Sequence, residues 1–215
     1  MRSRSHQTGL SLVELMVGLA LGLFIAAAGL AAFAEQWREH RHATAAQRLM
    51  QDLRSAGDVI ARDLRRAGHW AAPAASTPNP YAAFSPQAAA SDAAQFAYSR
   101  DARENGALDG NEQFGLRLRR GVIELLLGAG NWQALTDAGT LVITEFVLQP
   151  RVDSVSLLEH CANPCPPGAA CDARVEVRRL AIRITARAAD DPSLVRRLET
   201  LVRLRNDGVS GACPA

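Results

Sequence analysis

A single carboxylate, Glu14, stands inside an apolar run from Leu10 to Ala34 whose only other polar residue is Ser11. A charge at the middle of a membrane-spanning helix costs about 2.5–3.5 kcal/mol on insertion scales. Such an acid is retained where it meets a counter-charge or marks a functional position. A second group, His160, Cys161, Cys165 and Cys171, falls within twelve residues. Zinc is one chemistry for that set, but the spacing is not the paired C-x₂-C of common zinc sites. With Cys213 the Cys count is four, an even number that reads as two disulfides with three possible pairings. Cys213 is expected to tie the C-terminus to the 161–171 loop, where its candidate partners lie. Asp109–Glu112 offers oxygens to calcium but lacks the remaining spacing of an EF-hand loop, so it reads as a turn. His40 and His42, two apart, do not share a helical face and read as solvated. No nucleophile elbow, phosphate loop or HExxH is present. Enzymatic activity, a metal and a cofactor are not expected.

The elements that must position Glu14 come first in the chain. Met1–Gly9 is polar and carries Arg2 and Arg4, and basic residues beside a first apolar segment stay cytoplasmic. Twenty-five helical residues span about 37 Å, enough to cross a hydrocarbon core of about 30 Å. The rest of the chain then lies outside the cytoplasm, where disulfides form. An alternative is a secretory signal cut after Ala34, since Ala32–Ala34 has the small-x-small form, leaving a soluble periplasmic binding protein. Against it, the apolar run exceeds a 7–15-residue signal core and Glu14 interrupts it. Composition adds little: 215 residues, 48% hydrophobic, suit one domain with one membrane segment. A net charge of +2 gives no argument for nucleic acid. All 24 basic residues are Arg.

Polar residues begin at Glu35, yet the helical pattern continues. Leu49, Leu53, Ala56, Ile60, Leu64 and Ala67 mark one face, with Arg48, Gln51, Asp52, Arg62 and Arg66 opposite. Gly68 is the expected C-terminal cap. Residues 69–93, rich in Ala, Pro and Ser, read as an irregular loop that Tyr81 and Phe84 can pin. Strand patterns follow at Gln95–Ser99, around Phe114, Leu116 and Leu118, at Val122–Leu127, at Leu141–Leu148, at Val175–Ala186 and at Leu198–Leu204. Arg120-Gly121 and Gly128–Asn131 read as turns. Val175 and Val177 differ in parity from Leu180, Ile182 and Ile184, which predicts a β-bulge near Arg178-Arg179. The sum is an α+β fold, a long helix laid on an antiparallel sheet.

"GLSLVELMVGLALG" resembles the class III signal of type IV prepilins and type II secretion pseudopilins. The resemblance implies a cytoplasmic leader 1–9, cleavage by prepilin peptidase between Gly9 and Leu10, and N-methylation of Leu10. It implies that Glu14, fifth in the mature chain, pairs with the terminal ammonium of a neighbouring subunit and so sets register. A snorkelling Glu at the membrane face is the plain alternative. Gly18 and Gly22 form a GxxxG pattern that permits close helix approach. Major subunits of the family carry a Pro about twenty residues into this helix; no Pro precedes Pro73 here, so no melted central segment is expected. "RDLRRAGHW" at 62–70, Trp-Gln-x-Leu-Thr-Asp at 132–137 and Arg-Leu-Arg-Asn at 203–206 resemble PilW-type minor pilins, and the first of these also resembles J-type pseudopilins. The implied division is a transmembrane half at 10–34, an amphipathic half at 35–68, the loop at 69–93 and a periplasmic β domain at 94–215. The implied place is the inner membrane and then the pilus tip, with a role in pilus initiation, adhesion and twitching. Implied partners are prepilin peptidase, other minor and major pilins, the inner-membrane assembly platform and a tip adhesin.

Overall fold

The computed structural model describes residues 11–71, 78–100, 104–168, 171–205 and 207–214. The chain divides into two units, Met1–Ala45 and Ala46–Ala215. One helix, α1 (Leu12–Arg66), begins in the first and ends in the second. It is helical throughout, as the absence of Pro allows. In the second unit its expected apolar face is the buried one: Leu49, Leu53, Ala56, Ile60, Leu64 and Ala67 are all buried. Arg48, Gln51, Asp52, Arg62 and Arg66 are exposed. Gly57 also belongs to the buried face. The Cδ2 of Leu198 lies 2.4 Å from where a Cβ would stand, so the missing side chain is what admits the leucine. Gly68 takes a left-handed φ of 76° and ends the helix. Its N–H donates to the Ala97 carbonyl (2.7 Å), and the Ser99 N–H donates to His69 (2.9 Å), fastening the helix end to the first sheet.

Two antiparallel sheets follow. The first has the order β1-β2-β3-β4-β5, from β1 (Phe84–Ser85), β2 (Ala93–Ala97), β3 (Gln113–Arg119), β4 (Val122–Leu127) and β5 (Trp132–Ala134). Arg120 and Gly121, both at positive φ, make the two-residue hairpin between β3 and β4, whose twist matches that of the strands. Within the stretch read as a loop, Phe84 pairs with Phe96, which draws β1 onto the sheet. The second sheet has the order β6-β7-β8, from β6 (Leu141–Ser156), β7 (Arg174–Ala188) and β8 (Val195–Arg203). A short β9 (Gly208–Ser210) pairs with the start of β7. Leu180, Ile182, Ile184 and Ala186 of β7 are buried with Phe146, Leu148 and Val202 from the flanking strands. Leu198, opposite Ile184, shares that face, so this is the side on which α1 packs.

The sequence reading of β7 needs one correction. No bulge lies at Arg178-Arg179: β6 and β7 pair one to one from Glu145↔Thr185 to Ser156↔Arg174. The slip is on β6, between Ile143 and Glu145. The parity change has another cause. Leu180 and its even-numbered successors face the core, whereas Val175 stands on the opposite face between Val155 and Val209. Both faces of β7 are therefore apolar, at different ends of the strand. β6 also runs eight residues past the expected Leu148. It passes through the half-buried Pro150 and is exposed from Arg151 on, so no alternation advertises it.

Candidate assembly surface

Gly9 and Leu10 lie outside the described residues. From there the first unit is built from one segment of α1. The Leu15 N–H donates to the Ser11 carbonyl (3.1 Å), closing the first turn around Glu14. A carboxylate in the first turn is favoured by the helix dipole, by roughly 0.3–1 kcal/mol at an exposed position. Residues 11–43 are all exposed, Phe24 by 74%. This helix is long and apolar enough to cross a membrane. Burying its apolar surface is worth about 25 cal/mol per Å², and most of that gain is left unrealised among the described residues. A Cβ at Gly18, Gly22 or Gly29 would meet nothing within 4 Å. Those glycines follow Glu14 at spacings of four, four and seven, so acid and glycines share one line along the helix. The surface therefore offers a carboxylate at its head and a strip that admits a second backbone closely. Glu14 has no ion pair among the described residues.

In the second unit the four cysteines form two disulfides, Cys161–Cys213 and Cys165–Cys171, with Cα–Cα distances of 5.5 and 6.0 Å. Gly211 brings the C-terminal segment to Cys161. Its φ is 70°, and a Cβ there would fall 1.5 Å from the backbone oxygen of Asp172, so only glycine passes. Among the described residues no group of three His, Cys, Asp or Glu is placed to hold a metal.

Asp109–Glu112 does more than turn the chain. Glu112 is fully buried and accepts from the Arg100 N–H (2.9 Å), the Asp109 N–H (3.0 Å) and the Tyr81 hydroxyl (3.1 Å). The oxygen of Tyr81, itself fully buried, also lies 2.9 Å from Glu104, so its one proton is shared between the two carboxylates. Burial and then the two carboxylates push the Tyr81 phenol far above its ordinary value. This network locks the loop after α1 to the β2–β3 connection. The sequence signal for it was the D-x-x-E spacing, which lets the Glu reach back to the N–H of the Asp. Beside it Tyr98 stacks on Phe114 at 3.9 Å between centroids, and the Arg66 guanidinium sits 4.2 Å from the Tyr98 ring.

A family profile described as Prepilin peptidase-dependent protein B matches residues 42–204, well over half of the chain. The chain belongs to the prepilin peptidase-dependent protein B family. A second profile, the Prokaryotic N-terminal methylation motif, matches residues 4–30 and so spans Gly9, Leu10 and Glu14. No curated protein and no solved structure matches the chain. Members of the prepilin peptidase-dependent protein B family are pilin-like, a structural class of protein. The long exposed segment of α1 is thereby explained as a membrane anchor of pilin type, and its processing enzyme as a prepilin peptidase. The two profiles together cover both the anchor and the sheet-bearing unit.

Proposed function

We propose that this member of the prepilin peptidase-dependent protein B family is a PilW-type minor pilin that takes part in initiating a type IV pilus and stays at or near its tip. In this reading the leader is removed after Gly9 and Leu10 is N-methylated. The segment 10–34 holds the protein in the inner membrane with residues 94–215 in the periplasm, until extraction into the filament. The assembly platform, other minor and major pilins and a tip adhesin are the partners. The observation that carries the reading is the line of Glu14, Gly18, Gly22 and Gly29 on the segment of α1, residues 11–43, that is exposed throughout. In a filament the acid meets the ammonium of a neighbour's new N-terminus. Paired, the charge is tolerated in lipid; unpaired, it penalises every wrong register.

The test is Glu14→Ala in cells. Removing one member of a buried pair leaves the other uncompensated, at about 3–5 kcal/mol. Membrane insertion should persist while incorporation into pili falls by about a hundredfold to a few thousandfold. Normal incorporation of the variant would contradict the proposed role. Deletion of the whole chain should abolish twitching and surface pili. Loss of enzyme secretion with twitching intact would point instead to a pseudopilin of a type II system.

A further inference from the structure

Sheet edges present open N–H and C=O groups to any strand that reaches them, and proteins blunt them with short strands or charges. Most edges here are blunted in that way. β1, β5 and β9 are two or three residues long. β8 carries Arg196, Arg197, Glu199 and Arg203 along its nine residues. The second half of β6 is different. Residues 151–156 are exposed, Val152 and Val155 by 52% each, and Asp153 is already paired with Arg179 of the neighbouring strand at 2.6 Å.

The direction of the backbone at this edge follows from two bonds. Leu148 donates its N–H to Ser91 (2.8 Å) and accepts from the Ser91 N–H (3.1 Å), so both its groups point away from β7. Pairing with β7 then runs without a slip to Ser156, so every second residue repeats that direction. Pro150, Val152, Ser154 and Ser156 face outward. Leu157 agrees, since its N–H donates inward to Ala173 (2.8 Å). Pro150 is accommodated because its missing N–H is an outward one. Among the described residues no backbone group is bonded to the outward side of Val152, Ser154 or Ser156.

Two features describe what would lie there. Beside Val152 is a pocket of roughly 300 Å³ whose lining includes Phe84, Pro150, Val152 and Leu204 together with Arg151 and Glu176. On the other face Arg203, Arg179 and Arg151 form one cross-strand row. Arg203 meets Asp207 and Arg179 meets Asp153, while Arg151, last in the row, has no acid among the described residues. We propose that the outward edge of β6 from Val152 to Ser156 receives an added strand from another protein, with an apolar side chain opposite Val152 and a carboxylate beside it opposite Arg151. Main-chain bonds supply the affinity and the two alternating side chains the selectivity. A second copy of this chain is a poorer occupant. Paired about Val152, it would set Ser156 against Leu148, whose backbone groups Ser91 already holds, and would draw Asp153 from Arg179.

The inference rests on the assembly reading only in taking the partner to be a fellow component. The test uses the full chain in its native membrane, with photoreactive benzoylphenylalanine at position 156 as the probe and crosslinked peptides sequenced by mass spectrometry. The expected product is an extended segment of a different protein, with an acid next to an apolar residue. Ser154→Pro removes an outward N–H and leaves the bonds to β7 in place. It should cut that product about tenfold, the equivalent of a single backbone bond and its steric room, with thermal unfolding unchanged. If that variant does not fold, Val152→Lys places a charge on the same edge and should have the same effect. A product unchanged by the variant, a product from a second copy, a helical segment or no product at all would overturn the proposal. The mature N-terminus read in the same sample reports on the assembly reading separately.

Discussion

Tyr81 shows how one side chain can hold a long connection in place. Its ring fills the core under the loop and its hydroxyl is shared between Glu104 and Glu112. The phenol's pKa is raised in the folded state, chiefly by burial. A group whose folded pKa is raised contributes stability that is complete below its unfolded value, about 10 for Tyr, and is lost as pH rises beyond it. The urea midpoint of the purified full chain in detergent should therefore fall above pH 10. Tyr81→Phe should flatten most of that slope, the remainder belonging to Tyr98, which burial also raises. At pH 7 the same variant should be less stable by about 1–3 kcal/mol, because Glu112 loses a donor in a buried site. An equal slope in wild type and variant would assign the alkaline loss elsewhere. Tyr81 was legible in the sequence as an anchor, but its partners were not. Glu104 and Glu112 are more than twenty residues away, and which acid a buried phenol meets is decided by the course of the chain.

At the scale of elements, helical periodicity was the strongest signal. Each residue assigned to the apolar face of α1 is buried, because a 3.6-residue repeat can satisfy only one face. Strands were legible where one face is wet. Gln113–Arg119 alternates in residue type even though Gly115 is buried along with Phe114 and Leu116, and its turn residues Arg120 and Gly121 mark the hairpin. β7 misled, since apolar residues on opposite faces at its two ends look like a change of phase. The end of β6 was invisible because residues 151–156 are exposed, which leaves no buried face to impose alternation. Pairing of the cysteines was open in the sequence; the structure joins Cys161 to Cys213 across 52 residues and Cys165 to Cys171 across 6. In the chain-entropy account the longer loop stabilises by about 4 kcal/mol and the shorter by about 2. Replacing Cys161 and Cys213 together by Ser should then lower the urea midpoint about twice as far as replacing Cys165 and Cys171. The reverse order would show that the short loop carries the greater constraint.

For the whole molecule, the two ends of the sequence state different things. The sheet-bearing unit buries its apolar residues in a core of its own. The first unit, residues 11–43 exposed and apolar up to Ala34, has no core of its own and makes sense only in lipid or against other helices. Its pilin-like character was legible because the signal is local: a leader charge, a glycine, an acid five residues later and a long apolar run. Which filament it serves was not legible, because that depends on surfaces read by other proteins. Pairing in the proposed assembly requires removal of the leader after Gly9, for only then does a free ammonium arise at Leu10 for a neighbour's Glu14. The most direct measurement is the mass of the N-terminal peptide of the protein recovered from its native membrane. A peptide beginning at N-methylated Leu10 is expected. A mature chain beginning at Glu35, or one retaining Met1, would contradict the account.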